Sequence, residues 1–293
     1  LPIIAVSSSA SLRMAQKSLR YSLEAIEEQI PRRVKPFIIS KGGACVYDLN
    51  SDKDYQLWLY EELYKTALIN EHEYQCGFSI SKNFLKQTIK SNCKDLNVKT
   101  LDMFMIEGLE YSLSKDKNWA VKWKDAVSQM QESIKEGTIS QWGIALNSSH
   151  LDKMPYTSID SLLSMIDENK IPFAAVMITI DNTLHTNSIK KIINKMQTYN
   201  FQTIFSLTSL PIGKKDWNES YNTVPRKLIQ VFKKYAKKGQ FVLCPIETKM
   251  DVDKTLDNIC DIKQNKGNSW FYTQKENFSH YLGQILMKTD LKK

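Results

Sequence analysis

Ile38-Ile39-Ser40-Lys41-Gly42-Gly43 and the block from Phe84 to Glu110, FLKQTIKSNCKDLNVKTLDMFMIEGLE, decide how this chain folds. In the longer block, Leu85, Ile89, Cys93 and Leu96 recur at the spacing of one helix face, and Leu101–Ile106 follows as a short apolar run. The shorter stretch continues a buried strand over Phe37–Ile39, entered through Pro36. The result is strand, helix and strand, with a lysine closing the first strand and Glu107 closing the second.

The same alternation extends outward in both directions. Pro2–Val6 reads as a strand, followed by a helix whose face is Leu12, Leu19, Leu23, Ile26 and Ile30. An irregular insertion over 44–79, with a helix around Tyr55–Thr66, interrupts the pattern. Beyond Glu107, the residues Trp119, Trp123, Val127, Met130 and Ile134 define a helix stopped by Gly137. Further strands are predicted at Ile139–Leu146, Phe173–Ile180, Thr203–Leu207 and Phe241–Cys244. Helices are predicted over Ile159–Ile166, along Ile189 to Met196, along Leu228 to Tyr235 and along Val252 to Ile259.

Apolar strands separated by helices predict a parallel sheet covered on its outer side, an α/β fold. About seven strand–helix units come close to a (β/α)8 TIM barrel. The first strand–helix unit is then missing or lies upstream of Leu1, and upstream residues or a partner would have to close the open edges. The expected organisation is a barrel over 1–262, carrying the insertion 44–79, and a C-terminal linker and helix over 263–293.

Composition narrows the function. The net charge of +8 is spread in pairs such as Lys190-Lys191, Lys214-Lys215, Lys233-Lys234 and Lys237-Lys238. That pattern reads as a solvated face, with no specific nucleic-acid recognition; any such contact would go through phosphates. Glycine is scarce, 10 in 293 residues, and neither G-x-G-x-x-G nor a P-loop occurs. The five cysteines have no metal-ligand spacing and read as free thiols. No apolar run reaches the ~20 residues of a transmembrane segment. A first residue other than Met leaves open a removed leader or upstream residues.

Several blocks in combination resemble the aldo-keto reductase family, most closely the bacterial and plastid-type members with a "TKGG" third strand. Ser40-Lys41-Gly42-Gly43 is similar to that strand, and Ser91–Glu110 to "SLxxLGxxYIDLYxIHxPE", with Leu96 and Asp102 in place. Glu132–Ser149 is similar to "LxxEGKIRxxGVSNFS", and Gln202–Lys214 to the family's seventh strand. The resemblance implies NADPH-dependent carbonyl reduction by an Asp, Tyr, Lys and His, the Tyr donating the proton and the Lys lowering its pKa.

Laid on this chain, the resemblance keeps the lysine as Lys41 and replaces the histidine by Glu107. Anchoring Ala15–Arg20 on the family's strand-two motif puts Ala5 at the Asp position and Ala10 at the Tyr position. Some family members with Glu in place of the His remain active, because a protonated Glu polarises a carbonyl, but they keep the Tyr. Tyr47 or Tyr74, from the insertion, would have to serve as an alternative donor. On the cofactor side, Ala145 and Leu146 occupy the Ser-Asn positions, Met177 the Gln position and Thr248 the Gly position. Lys249 and Asn258 are what is left of the implied cofactor-binding set.

The expectation is a non-catalytic aldo-keto-reductase-like barrel, with no cofactor or NADPH if any, in which Lys41 and Glu107 are a vestigial pair. It would serve as a structural or docking subunit among the other protein subunits of a larger mitochondrial assembly, such as a respiratory complex or mitoribosome. The aromatic stretches Trp58-Leu59-Tyr60 and Leu63-Tyr64 are then either an interface or ordinary packing. The alternatives are a divergent NADPH-dependent carbonyl oxidoreductase and a nicotinamide-sensing regulatory subunit.

Overall fold

The computed structural model describes residues 5–9, 16, 19–21, 24, 37–47, 51–112, 116–147, 174–180, 186–198, 202–207 and 240–243. The chain forms two compact units, one of residues 3–177 and one of residues 178–293 with 1–2. In the first, strands β1 (Ala5–Ser9), β2 (Phe37–Gly42), β3 (Leu101–Glu107) and β4 (Ile139–Asn147) lie side by side in chain order. All pair in parallel. Strand β5 (Ala175–Ile180) starts beside β4, where the Ala174 N–H donates to the Trp142 carbonyl at 2.9 Å.

Parallel strands covered by crossover helices are buried on both faces, so their sequences run apolar rather than alternating. Leu101, Phe104, Met105 and Ile106 are fully buried, as are Ala175 to Ile178. This is why strand positions were legible as continuous apolar runs. The first strand departs from expectation. It spans Ala5–Ser9, past Val6 into a serine run, because pairing with β2 satisfies the backbone whatever the side chains prefer.

Helices α3 (Lys82–Asp95) and α5 (Trp119–Lys135) precede β3 and β4. The inner face of α3 is Phe84, Leu85, Ile89 and Asn92, with Cys93 only half-buried. Sequence periodicity named Cys93 and missed Asn92, because a buried amide carries no apolar signal. Asn92 Nδ2 donates to Ser40 Oγ and to the Lys41 carbonyl, both at 2.9 Å, and its Oδ1 accepts from Gln16 Nε2 at 3.1 Å. The helix is thereby bolted to β2 and to Gln16. Asp102, on β3, accepts from the Ile38 N–H at 2.9 Å just below the first β2–β3 register pair.

The helix expected around Tyr55–Thr66 is present, and the described residues of the insertion hold more regular structure than expected. The insertion contains α1 (Tyr55–Trp58), a π-helical turn (Leu59–Tyr64) and α2 (Glu71–Cys76). Lys65 N–H donates to the Tyr60 carbonyl, the i→i−5 bond of a π turn. Asn70 and Glu73 form a capping box on α2, and Gly77 closes it in the left-handed region. The two ends are stapled by Cys45 N–H to Gly77 O at 2.8 Å and Ser79 N–H to Gly43 O at 2.7 Å. Trp58, Leu59, Leu63, Ile69, Cys45 and Phe84 form its own core. Ordinary packing therefore accounts for Trp58, Leu59 and Leu63, while Leu57 and Tyr60 are each 44% exposed.

The second unit contains helix α6 (Thr186–Met196) and strands β6 (Gln202–Leu207) and β7 (Gln240–Leu243). The two strands pair in parallel from Thr203–Gln240 to Ser206–Leu243, and Ile193, Met196, Ile204 and Phe205 are buried. The predicted helices over Ile159–Ile166, along Leu228 to Tyr235 and along Val252 to Ile259, and the C-terminal helix, lie outside the described residues.

Two substitutions test the clamp on β2. Asn92→Ala strands the Ser40 hydroxyl and the Lys41 carbonyl in a buried site, with an expected loss of about 3 kcal/mol in urea denaturation. Gly43→Ala is expected to cost more than about 2 kcal/mol, since its φ is +136° and a Cβ would lie 2.0 Å from the Glu107 carbonyl oxygen.

Candidate functional site

Side chains alternate across a strand, and contacts with α3 assign the faces. Ser40 faces α3 through Asn92, so Ile39 and Lys41 face the opposite, inner side. The parallel register places Lys41 level with Met105 of β3 and Gly143 of β4. Two residues further along β3, Glu107 stands on the same face, level with Ala145. The site thus gathers at the C-terminal ends of β2, β3 and β4, the edge where barrels of this architecture carry their chemistry.

Lys41 is half-buried, and burial pulls its ammonium below the ordinary lysine range, against the opposing pull of the Glu107 carboxylate. Past β3 the chain turns at Gly108 (φ +77°) into the short helix α4 (Leu109–Ser112). A side chain at position 108 would lie 2.0 Å from the Phe78 ring, so the exit of the insertion is pressed against this turn. The turn delivers Glu110, which is 8% exposed, back over the strand ends. Its Oε1 accepts from the Asn147 N–H at the end of β4 at 3.1 Å. Its Oε2 has no hydrogen-bond partner among the described residues. Burial, and to a smaller extent the Glu107 charge, push this carboxyl above the usual range, against the amide bonds it accepts.

Glu110 and Asn147 were not foreseen from sequence. The only signal for Glu110 was its spacing, three residues after the strand-four Glu107. Glu107 thus acts on Lys41 from one side and on Glu110 from the other, so a lysine and two carboxyl groups are electrostatically linked at the strand ends.

Other predicted site positions fall elsewhere. Ala5 pairs with Phe37, four residues below the Lys41 level, and Ser9 is the residue in register with Lys41. Strand β1, AVSSS, contains neither Asp nor Tyr. The Tyr47 hydroxyl rests on the carbonyls of Lys53 and Ser51, and Tyr74 packs on Tyr60 and Tyr64 at 6.3 and 5.3 Å between ring centroids. The Tyr47 hydroxyl and the Tyr74 ring are thus engaged within the insertion. Ala145, Leu146 and Met177 are buried apolar residues. Ala10, Thr248, Lys249 and Asn258 lie outside the described residues. An open cleft of about 650 Å³ borders the insertion near Lys65, Asn70, Glu73 and Lys122, and its lining includes none of the strand-end cluster. No group of acidic, His and Cys side chains able to hold a metal occurs among the described residues. No helix among them is long and apolar enough to cross a membrane.

No protein-family model matches the sequence, and no curated protein matches it. Solved structures do match. The chain is similar to an aldo-keto reductase from Bacillus halodurans in its holo form, with a TM-score of 0.52 at 9% identity, over 96% of this chain and 82% of that one. It also matches an aldo-keto reductase complexed with NADPH, with a TM-score of 0.46 at 12% identity, over 97% of this chain and 73% of that one. The same reductase of the silkworm, Bombyx mori, matches with a TM-score of 0.46 at 12% identity, over 96% of this chain and 72% of that one. The fold is the α/β (β/α)8 type of the aldo-keto reductases, as the sequence led us to expect.

The raised carboxyl of Glu110 has a stability signature. A folded-state pKa above the unfolded one means the native state binds more protons between the two values, so stability falls as pH rises through that window. Glu110→Gln is expected to match the wild type below about pH 4, where the carboxyl is protonated in both states, and to exceed it increasingly above. Urea denaturation over a pH series measures the difference.

Proposed function

We propose that this chain is an aldo-keto-reductase-type barrel that does not perform NADPH-dependent carbonyl reduction and acts as a structural or docking subunit of a larger assembly. The observation that supports this most directly is the level of Lys41 in the sheet. Its neighbour on β1 is Ser9, and no acid or phenol occurs on that strand. Beside Glu107 on β4 stands Ala145, where a polar donor for a nicotinamide amide would be needed. A buried polar ligand group left without partners loses binding free energy, so the apolar Ala145, Leu146 and Met177 oppose nicotinamide binding. Docking is supported by the insertion, an ordered platform that presents Leu57 and Tyr60 to solvent beside Tyr55, which is 37% exposed.

Calorimetry or thermal unfolding with NADPH and NADH is the direct test. A nucleotide at 100 times its Kd would add about 2.7 kcal/mol of stability. We expect no shift in melting temperature at millimolar nucleotide and no oxidation of NADPH with a panel of aldehydes and ketones. Turnover that Lys41→Met abolishes would overturn the reading.

For the docking role, Leu57→Glu, at a side chain 44% exposed, is expected to leave thermal unfolding unchanged. In native-state sizing of extracts, the protein should move from a large species to the size of a single chain. A wild type that already runs as a single chain would contradict the assembly.

A further inference from the structure

We propose, resting on the docking role above, that the partner of the insertion is a basic polypeptide segment, in which arginine or lysine is interleaved with apolar side chains. Its contact is the stripe of Leu57, Tyr60 and Tyr64, with Tyr74 beside it. The insertion over 44–79 carries seven acidic residues and two lysines, a net charge of −5 within a chain of +8, so the remainder carries +13. Lys53 is held between Glu61 at 2.8 Å and Glu62 at 2.7 Å, two carboxylates on one ammonium. Asp52, Asp54 and Glu71 are exposed and make no ion pair among the described residues. Lys65, the insertion's other cation, is exposed as well. An acidic segment thus interrupts a basic chain.

The acidic groups flank an aromatic stripe. Tyr60–Tyr64, Tyr60–Tyr74 and Tyr64–Tyr74 have ring centroids 5.7, 6.3 and 5.3 Å apart. Their hydroxyls have no hydrogen-bond partner among the described residues, which leaves three phenols for a partner to use. Leu57 and Tyr60 are each 44% exposed, while Trp58, Leu59 and Leu63 of the same helical segment are buried. Glu61 and Glu62 follow Tyr60 directly, and Glu71 lies three residues before Tyr74 on the same side of α2. The faces of tyrosine rings attract guanidinium and ammonium groups, and the apolar stems of those side chains pack on leucine and tyrosine. Carboxylates beside such rings complete the match to a cationic, part-apolar segment.

The same charge disfavours other occupants. The phosphates of a nucleic acid or of an anionic membrane are repelled by a segment of this sign. Two copies paired about a two-fold axis would set −5 against −5. An insertion docked on the basic remainder of a second copy would repeat head to tail, giving rings or filaments rather than one-to-one docking. A separate basic chain meets the charge and completes the contact. In such an interface the exposed carboxylates select the partner and speed its approach, and the apolar stripe carries most of the affinity.

The test is a binding titration of the purified full chain by fluorescence anisotropy, at about 0.15 M salt so that distant charges are screened. Two labelled peptides of about 18 residues share one pattern of leucines, and carry either arginine or glutamate at every polar position. The arginine peptide is expected to bind at least about tenfold tighter. Leu57→Ala should weaken it about fivefold, the loss of an apolar contact at the centre of an interface. Asp52→Asn with Glu62→Gln should weaken it by a similar factor, about fivefold, the effect of two exposed ion pairs. Asp125→Asn with Glu136→Gln removes the same charge from exposed positions at α5 and its end, and should leave binding unchanged. An arginine peptide that binds no tighter than the glutamate one overturns the proposal, as do insertion variants no weaker than the remote pair, each judged in protein that unfolds cooperatively. Sedimentation of the protein alone supplies a further check: self-association that Leu57→Ala abolishes would overturn the proposal in favour of a second copy. Negative titrations with a large species still present in extracts strike the partner's chemistry and leave the assembly standing. A single chain in extracts strikes the assembly, and the titration of purified protein still decides the chemistry of the face.

Discussion

The position of the Lys41 carbonyl is the constraint on which the strand ends depend. It is set by Asn92, a side chain with no exposed surface, whose amide donates to that carbonyl and to Ser40 Oγ while accepting from Gln16. In a low-dielectric interior an amide must find partners, and a network of this kind has one low-energy arrangement. It therefore fixes the depth of α3 on the sheet and the height of Lys41 within it. The next residues amplify the constraint. Gly43 lets the chain pass against the Glu107 carbonyl oxygen, and Gly108 lets Phe78 seat under the turn that carries Glu110. Lysine, two glutamates and the insertion are linked through backbone contacts too close for any side chain to intervene.

The cluster is a poor device for stability. Placing an ammonium and two carboxyls in a partly dry site incurs a desolvation cost that mutual attraction repays only with good geometry and full hydrogen bonding. Glu110 keeps an oxygen with no hydrogen-bond partner, so the repayment is incomplete. Apolar residues would fill the same space at lower cost. Charged groups stand at the strand ends, where a barrel concentrates its chemistry, beside the buried apolar Ala145, Leu146 and Met177.

The insertion illustrates how an extra segment becomes part of a barrel. It is closed by backbone bonds at both ends, fills its own core, and borrows Phe84 from α3 to complete it. The π turn adds a residue to the helix and turns Leu59 and Leu63 inward together with Trp58. Aromatic contacts among Tyr47, Tyr55 and Trp58 stiffen one side, and those among Tyr60, Tyr64 and Tyr74 the other. Tyr60 remains partly in solvent with Leu57.

From the sequence alone came the parallel α/β character, the order of the described strands after the first, and the helices Lys82–Asp95 and Trp119–Lys135. Burial on both faces writes strands as unbroken apolar runs, and one-sided burial writes helices at a period of 3.6. Lys41 and Glu107 were legible because each closes such a run. Only the tertiary structure decided the rest. The reach of β1 into a serine run comes from pairing with β2, which propensity does not encode. Asn92 and Glu110 are polar residues in apolar surroundings, and periodicity cannot see a side chain whose burial is justified by partners far away in the chain. The level of Ser9, Lys41 and Met105 is a property of register, and register is fixed between strands, not within them.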